Sequence, residues 1–163
     1  MKNIKTRSGV FETNSSSTHS LTLASTFENM VTSPVSDYEI KQGFITVYPG
    51  EYNWAEEEFN SIGEKLSYLY VDAMRGEDDK DVDPNSEFYR NSNFKLKMIE
   101  DAVKEYTGIG VVFEKSSDTY YPFGYIDHQS VGLCEEVWDD GTNGVIRFAF
   151  SNSSYFKTDN DNH

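Results

Sequence analysis

The stretch Phe11-Glu12-Thr13-Asn14-Ser15-Ser16-Ser17-Thr18-His19-Ser20 concentrates side chains suited to chemistry. Six of its ten residues carry hydroxyls, and the rest include a carboxylate, an amide and an imidazole. Hydroxyl and amide donors beside backbone N–H groups can wrap a phosphate or carboxylate without a lysine. Glu12, Thr13, Asn14, Ser15, Ser17 and Thr18 are therefore candidate ligand-binding residues, and Arg7 just upstream can add a two-pronged contact to the same anion. His19 titrates near neutrality and can serve as acid or base. Any of Ser15, Ser16, Ser17 or Thr18 becomes a nucleophile if such a base reaches it, with Ser16 in the middle of the run as the candidate. No Gly-x-x-x-x-Gly-Lys phosphate loop and no Gly-x-Ser-x-Gly elbow occurs. The same composition also suits a polar loop satisfied by its own Asx and Ser/Thr turns.

A second constellation is Tyr125-Ile126-Asp127-His128-Gln129-Ser130. Adjacent Asp and His point to opposite faces of a strand, so one can face the core and the other a cleft. The chain has three histidines, and His163 lies in the tail, which leaves His19 and His128 as the imidazole candidates. Asp127 would orient one of them, and Ser130 joins the ligand-binding set. Pairing both imidazoles with Asp127 or Glu12 gives an acid–base or metal cluster, though no particular metal or cofactor follows. A satisfied edge-strand histidine is the plainer alternative. Oxygen-bearing residues also alternate at Asp79, Asp81, Asp83, Asn85 and Glu87. An EF-hand loop starting at Asp79 needs Gly and Glu where the chain has Pro84 and Arg90, so a solvated loop is the better account.

These residues need elements to position them. Residues 1–10 read as an extended start, with Gly9 allowing a turn. Leu21-Thr22-Leu23 and Phe44-Ile45-Thr46-Val47-Tyr48 read as strands, the second ended by Pro49-Gly50. Ala55, Phe59, Ile62, Leu66, Leu69 and Ala73 form one apolar stripe and predict a helix over 54–75, with Asn53 as cap, Glu56 completing the box and Gly76 as stop. Phe94, Met98, Ile99, Ala102, Val103 and Tyr106 predict a second helix over 93–107, capped by Ser92 and stopped by Gly108. Val111-Val112-Phe113 reads as a strand. Val131 to Trp138 and Gly144 to Phe150 flank the turn-rich Asp139-Asp140-Gly141-Thr142-Asn143 and predict a C-terminal β-hairpin. The expected fold is α+β, one domain over residues 1–163, with a mainly antiparallel sheet packed by two helices.

Composition narrows the function classes. At 163 residues the chain can bury a sizeable core, and its eleven Tyr and eleven Phe supply much of the area. No apolar run approaches a membrane span, and no apolar segment follows the first lysines as in a signal peptide. With one cysteine, Cys134, no internal disulfide forms, and a reduced cytoplasmic setting is expected. The net charge of −14 is uneven: the first fifty residues balance, whereas 51–105 carry fifteen acids against seven bases and 106–163 nine against three. Such a field repels nucleic acid and anionic membrane, yet could block a basic, DNA-binding surface. It also serves plain solubility.

Arg7-Ser8-Gly9-Val10-Phe11-Glu12-Thr13-Asn14-Ser15-Ser16-Ser17-Thr18-His19-Ser20 resembles the opening of a family of small, largely uncharacterised proteins of bacteriophages and their bacterial hosts. Gly124-Tyr125-Ile126-Asp127-His128-Gln129-Ser130 and Thr158-Asp159-Asn160-Asp161-Asn162 look like later signatures of that family. The resemblance implies a phage or mobile-element origin and a functional site at the hydroxyl run. It also suggests that Asp159, Asn160 and Asp161 fold back as ligands. It assigns no activity. Two expectations follow. One is a cytosolic accessory protein, with counter-defence among the roles it admits, whose polar pocket, built from 12–20 and 125–130, binds or processes a nucleotide-like or phosphorylated ligand. The other is a non-enzymatic acidic inhibitor, resembling a DNA mimic, that blocks a basic host or defence protein.

Overall fold

A computed structural model describes residues 4–8, 19–32, 40–53, 55–75, 85–127, 130 and 132–159. In chain order the elements are β1 (Ile4–Ser8), β2 (Ser20–Ala24), β3 (Ile40–Lys41), β4 (Phe44–Val47), β5 (Glu51–Tyr52), β6 (Glu57–Phe59), α1 (Ile62–Met74), α2 (Glu87–Thr107), β7 (Gly110–Phe113), β8 (Tyr125–Ile126), α3 (Glu135–Asp139), α4 (Gly141–Phe150) and β9 (Tyr155–Thr158). The fold is α+β. Its largest sheet is antiparallel in the order β1-β2-β9-β6. Two smaller sheets, β3-β4-β7 and β5-β8, each contain a parallel pair, β4 with β7 and β5 with β8.

The first helix starts later than its apolar stripe predicts, at Ile62 rather than at 54. Two capping sequences compete here, Asn53 with Glu56 and Ser61 with Glu64, and the second forms. Ser61 Oγ accepts from Glu64 N at 3.3 Å, while Glu64 Oε2 accepts from Ser61 N at 3.1 Å. Tertiary pairing decides the contest, because residues 57–59 are drawn into the sheet as β6. There Phe59 stacks on Phe156 with ring centroids 4.6 Å apart, and Glu58 pairs with Lys157 at 2.8 Å. The second helix starts earlier than predicted, at Glu87, because Ser86 rather than Ser92 caps it. Ser92 is buried inside it, Gly108 closes it as expected, and Phe94, assigned to the apolar stripe, is 64% exposed.

The predicted C-terminal hairpin is overturned: its two limbs are α3 and α4, joined at Asp140. Val145, Ile146, Phe148, Ala149 and Phe150 are all buried. A short continuous apolar run fits a buried strand or a buried helix equally well by periodicity. Gly144 is the residue that favours the helical pair, since a Cβ there would stand 2.1 Å from the Val137 carbonyl oxygen. Four helices, not two, therefore pack against the strands of the described residues.

Leu66, Leu69, Ile99, Val103, Val145 and Phe148 knit α1, α2 and α4 into one core. An aromatic cluster seals it against the large sheet: Phe156 lies 4.2 Å from Tyr68 and 5.2 Å from Tyr52, ring centroid to centroid. Lys65 is fully buried beside this cluster, donating from Nζ to the carbonyls of Ser151 at 2.9 Å and Ser154 at 3.1 Å. Ser151 ends α4, so the cation meets the negative end of that helix.

Candidate functional site

Three elements bring polar groups to one point beneath the surface. The parallel pair β5-β8 continues past its last residues, where Asp127 N donates to Tyr52 O at 3.1 Å. This places Asn53 and Asp127 side by side at the ends of the two strands. Gly124 makes the approach possible: it has φ 80, and a Cβ there would lie 2.3 Å from the Gly50 carbonyl oxygen. His19 stands just before β2, Tyr68 lies in the middle of α1, and Arg75 caps that helix's C-terminal end.

His19 is 1% exposed and holds two bonds. Its Nε2 lies 3.1 Å from Asn53 O, and its Nδ1 lies 3.2 Å from Tyr68 Oη. A carbonyl can only accept, so Nε2 carries the proton and Nδ1 accepts from the phenol. Burial is the main force lowering the His19 pKa, and Arg75 adds to it. The bond to Asn53 and the charge of Asp127 oppose it. Burial also pushes the Tyr68 phenol well up, which keeps it a donor to His19. The pair is thus neutral and internally satisfied, and proton transfer through His19 requires breaking one of its two bonds.

Asp127 is 1% exposed and near enough for its charge to act on His19, so the structure brings together the two constellations that lie far apart in sequence. Its carbonyl is a junction: Arg75 Nη2 donates to it and, at 3.2 Å, to Ile126 O, while Ser130 N donates to it at 2.9 Å. Arg75 Nη1 and Ser130 Oγ are buried without a hydrogen-bond partner among the described residues. Each of these two residues, joined through the Asp127 carbonyl, thus keeps one buried polar atom unsatisfied among the described residues.

The other predicted site residues stand as follows. Glu12, Thr13, Asn14, Ser15, Ser16, Ser17, Thr18 and His128 lie outside the described residues, as do Gly9, Gly76, the Asp79–Pro84 part of the calcium-like loop and Asn160–His163. Ser8 and Ser20 pair across β1 and β2. Arg7 belongs to β1, opposite Leu21. Among the described residues no group of three or more His, Cys, Asp or Glu is placed to hold a metal ion. Cys134 is buried, and its thiol pKa is pushed well up, by burial first and Asp72 second.

Sequence reasoning missed Tyr68 and Arg75. Tyr68 lies in the first long helix but off the stripe Ile62, Leu66, Leu69 and Ala73, and Arg75 is that helix's C-cap. The available signal was an arginine closing a strongly apolar helix just before a glycine.

No family model, curated protein or solved structure matches the chain. No helix among the described residues is long and apolar enough to cross a membrane.

Proposed function

We propose that this chain is a small phage-type accessory protein of the host cytoplasm that binds a nucleotide-like or otherwise phosphorylated ligand. The observation that carries this reading is that Arg75 Nη1 and Ser130 Oγ are buried without a hydrogen-bond partner among the described residues, on two residues that both donate to the Asp127 carbonyl near His19. Buried polar groups are normally satisfied, and leaving one unmatched costs about 1–3 kcal/mol. A ligand oxygen meeting both donors would recover that cost. In this reading the neutral His19–Tyr68 pair shapes the wall rather than moving protons. The phage origin and the cytoplasmic setting rest on the sequence resemblance and on composition.

The test is native mass spectrometry of the purified chain with a thermal-shift panel of nucleoside phosphates. A ligand that raises the melting temperature of the wild type, but not of Ser130→Ala or Arg75→Gln, supports the reading. A clean apo mass and no shift with any member of the panel removes it.

One observation favours the acidic inhibitor as a second reading. Glu56, Glu57 and Glu58 are all exposed at or beside β6, an edge of the large sheet. Capture of a basic partner that weakens steeply with salt and is lost in a Glu56/Glu57/Glu58→Gln variant would select it. Salt-independent capture would reject it.

A further inference from the structure

The three-stranded sheet β3-β4-β7 ends at β7, and no strand among the described residues pairs with that edge. One bond fixes which backbone groups face outward. Glu114 N donates to Val47 O at 2.9 Å, and Phe113 is the register partner of Val47 in the parallel pair. In such a ladder alternate residues of a strand direct both N–H and C=O to the same neighbour. Gly110 and Val112 therefore bond β4, while the N–H and C=O groups of Val111 and Phe113 point away from it. Among the described residues nothing bonds these outward groups. None of the strand's four residues is buried, as expected of an edge that no described element covers.

Charge sets this edge apart. Among the edge strands longer than two residues, β1 carries Lys5 and Arg7, and β6 carries Glu57 and Glu58. Such charges discourage a strand from pairing with a copy of itself. Gly110-Val111-Val112-Phe113 has none, and β3 and β4 contribute only Lys41, whose ammonium donates to Tyr48 Oη. Two copies of a chain with net charge −14 repel each other, and this acid-free sheet lets them meet without opposing carboxylates. The faces of the sheet point the same way. A parallel pair such as β4-β7 is normally covered on both sides. Ile45 and Val47 are buried in the core on one side. On the other, Phe44 is 47% and Val112 39% exposed, and Tyr48 just past β4 is 42% exposed. Apolar side chains clustered in water beside an unpaired edge mark an association surface.

We infer that the chain self-associates through β7, which pairs antiparallel with β7 of a second copy across a two-fold axis at Val112. The two three-stranded sheets then join into one of six strands. Val111 of each copy faces Phe113 of the other, and each such pair exchanges both outward-pointing backbone bonds. Val112 meets Val112 of the second copy at the closer, non-hydrogen-bonded position, with Cα atoms about 4.5 Å apart. Glu114 falls opposite Gly110, so this register sets no like charges against each other. A two-fold contact requires a patch complementary to itself, and this strand is one. A four-residue strand and three part-exposed side chains cover less than the roughly 800 Å² per partner of a standard interface. The dimer is therefore concentration-dependent. It does not depend on ligand binding at Arg75.

Sedimentation of the full chain over about a hundredfold range of concentration, with hydrogen–deuterium exchange at both ends of that range, tests the inference. The expected result is a shift from 18.6 kDa toward twice that mass, with the Val111 and Phe113 amides slowing as it occurs. The Val112 amide bonds β4 in either state and should keep its rate. Val112→Lys sets two ammonium groups at the closest pair and should raise the dissociation constant by about tenfold or more. Val112 is part-exposed, so the lysine reaches water in the monomer. A chain that stays monomeric at every concentration overturns the inference and leaves the edge to a strand of another protein. A dimer that forms equally well in Val112→Lys, with the Val111 and Phe113 amides still exchanging fast, overturns it by placing the contact elsewhere.

Discussion

Lys65 and Arg75 stand on the same helix about 15 Å apart along its axis, and both donate to backbone carbonyls from another part of the chain. Lys65 is fully buried between the carbonyls of Ser151 and Ser154. Arg75 reaches the carbonyls of Ile126 and Asp127 but keeps Nη1 buried and unmatched among the described residues. The first cation locks α1 to α4 and β9. The second offers binding capacity that the fold leaves unused. Position, burial and neighbours separate a cation committed to the fold from the one proposed to bind a ligand, while residue type alone does not.

The comparison predicts that stability losses concentrate at the Lys65 end. Phe156→Ala removes the ring shared by Tyr52, Phe59 and Tyr68 and should cost about 3–5 kcal/mol in urea unfolding. Lys65→Met keeps the packing but strands two carbonyls, for about 2–4 kcal/mol; a change within the error of the midpoint would show that those carbonyls find other partners. Arg75→Gln should cost less than half as much as Lys65→Met while abolishing the nucleotide-induced thermal shift. Equal losses in the two variants would erase the distinction drawn between the cations.

His19 sharpens the boundary between the regions through pH. Its folded pKa lies below the ordinary 6.5, so the unfolded chain takes up the proton first. Its contribution is complete above that value and falls as pH drops below it. The slope is at most about 1.4 kcal/mol per pH unit. Unfolding measured between pH 7.5 and about 5 should therefore decline more steeply in the wild type than in His19→Gln. Parallel curves would mean that the imidazole is not held neutral.

The smallest effect concerns the start of α1. Ser61→Ala should cost about 1 kcal/mol, whereas Asn53→Ala, at the cap position the sequence suggested, should stay within about 0.5 kcal/mol. That contrast also marks what was legible beforehand. Strands at 21–23, 44–47 and 111–113, the body of both long helices and the Gly108 stop could be read from local pattern, because their signals lie within a few residues of one another. The start of α1 could not, since β6 is held by a strand that lies far along the chain. The hairpin expectation failed for a related reason: a run buried on every side has no periodicity with which to choose helix over strand. Of the site, His19 and Asp127 were visible as unusual polar residues, and their proximity is a product of β5-β8 pairing that no local signal carries. Arg75 and Tyr68 became visible only through what they touch.

The large sheet has its last-made strand, β9, in an interior position between β2 and β6. A chain leaving the ribosome has β6 available long before Phe156 arrives to cover Phe59. At about 5–20 residues per second that interval is on the order of 5–20 s. Through it the nascent chain carries an unpaired strand and uncovered rings at Tyr52, Phe59 and Tyr68. Glu56, Glu57 and Glu58 then act as charged guards, keeping two half-made copies from pairing edge to edge.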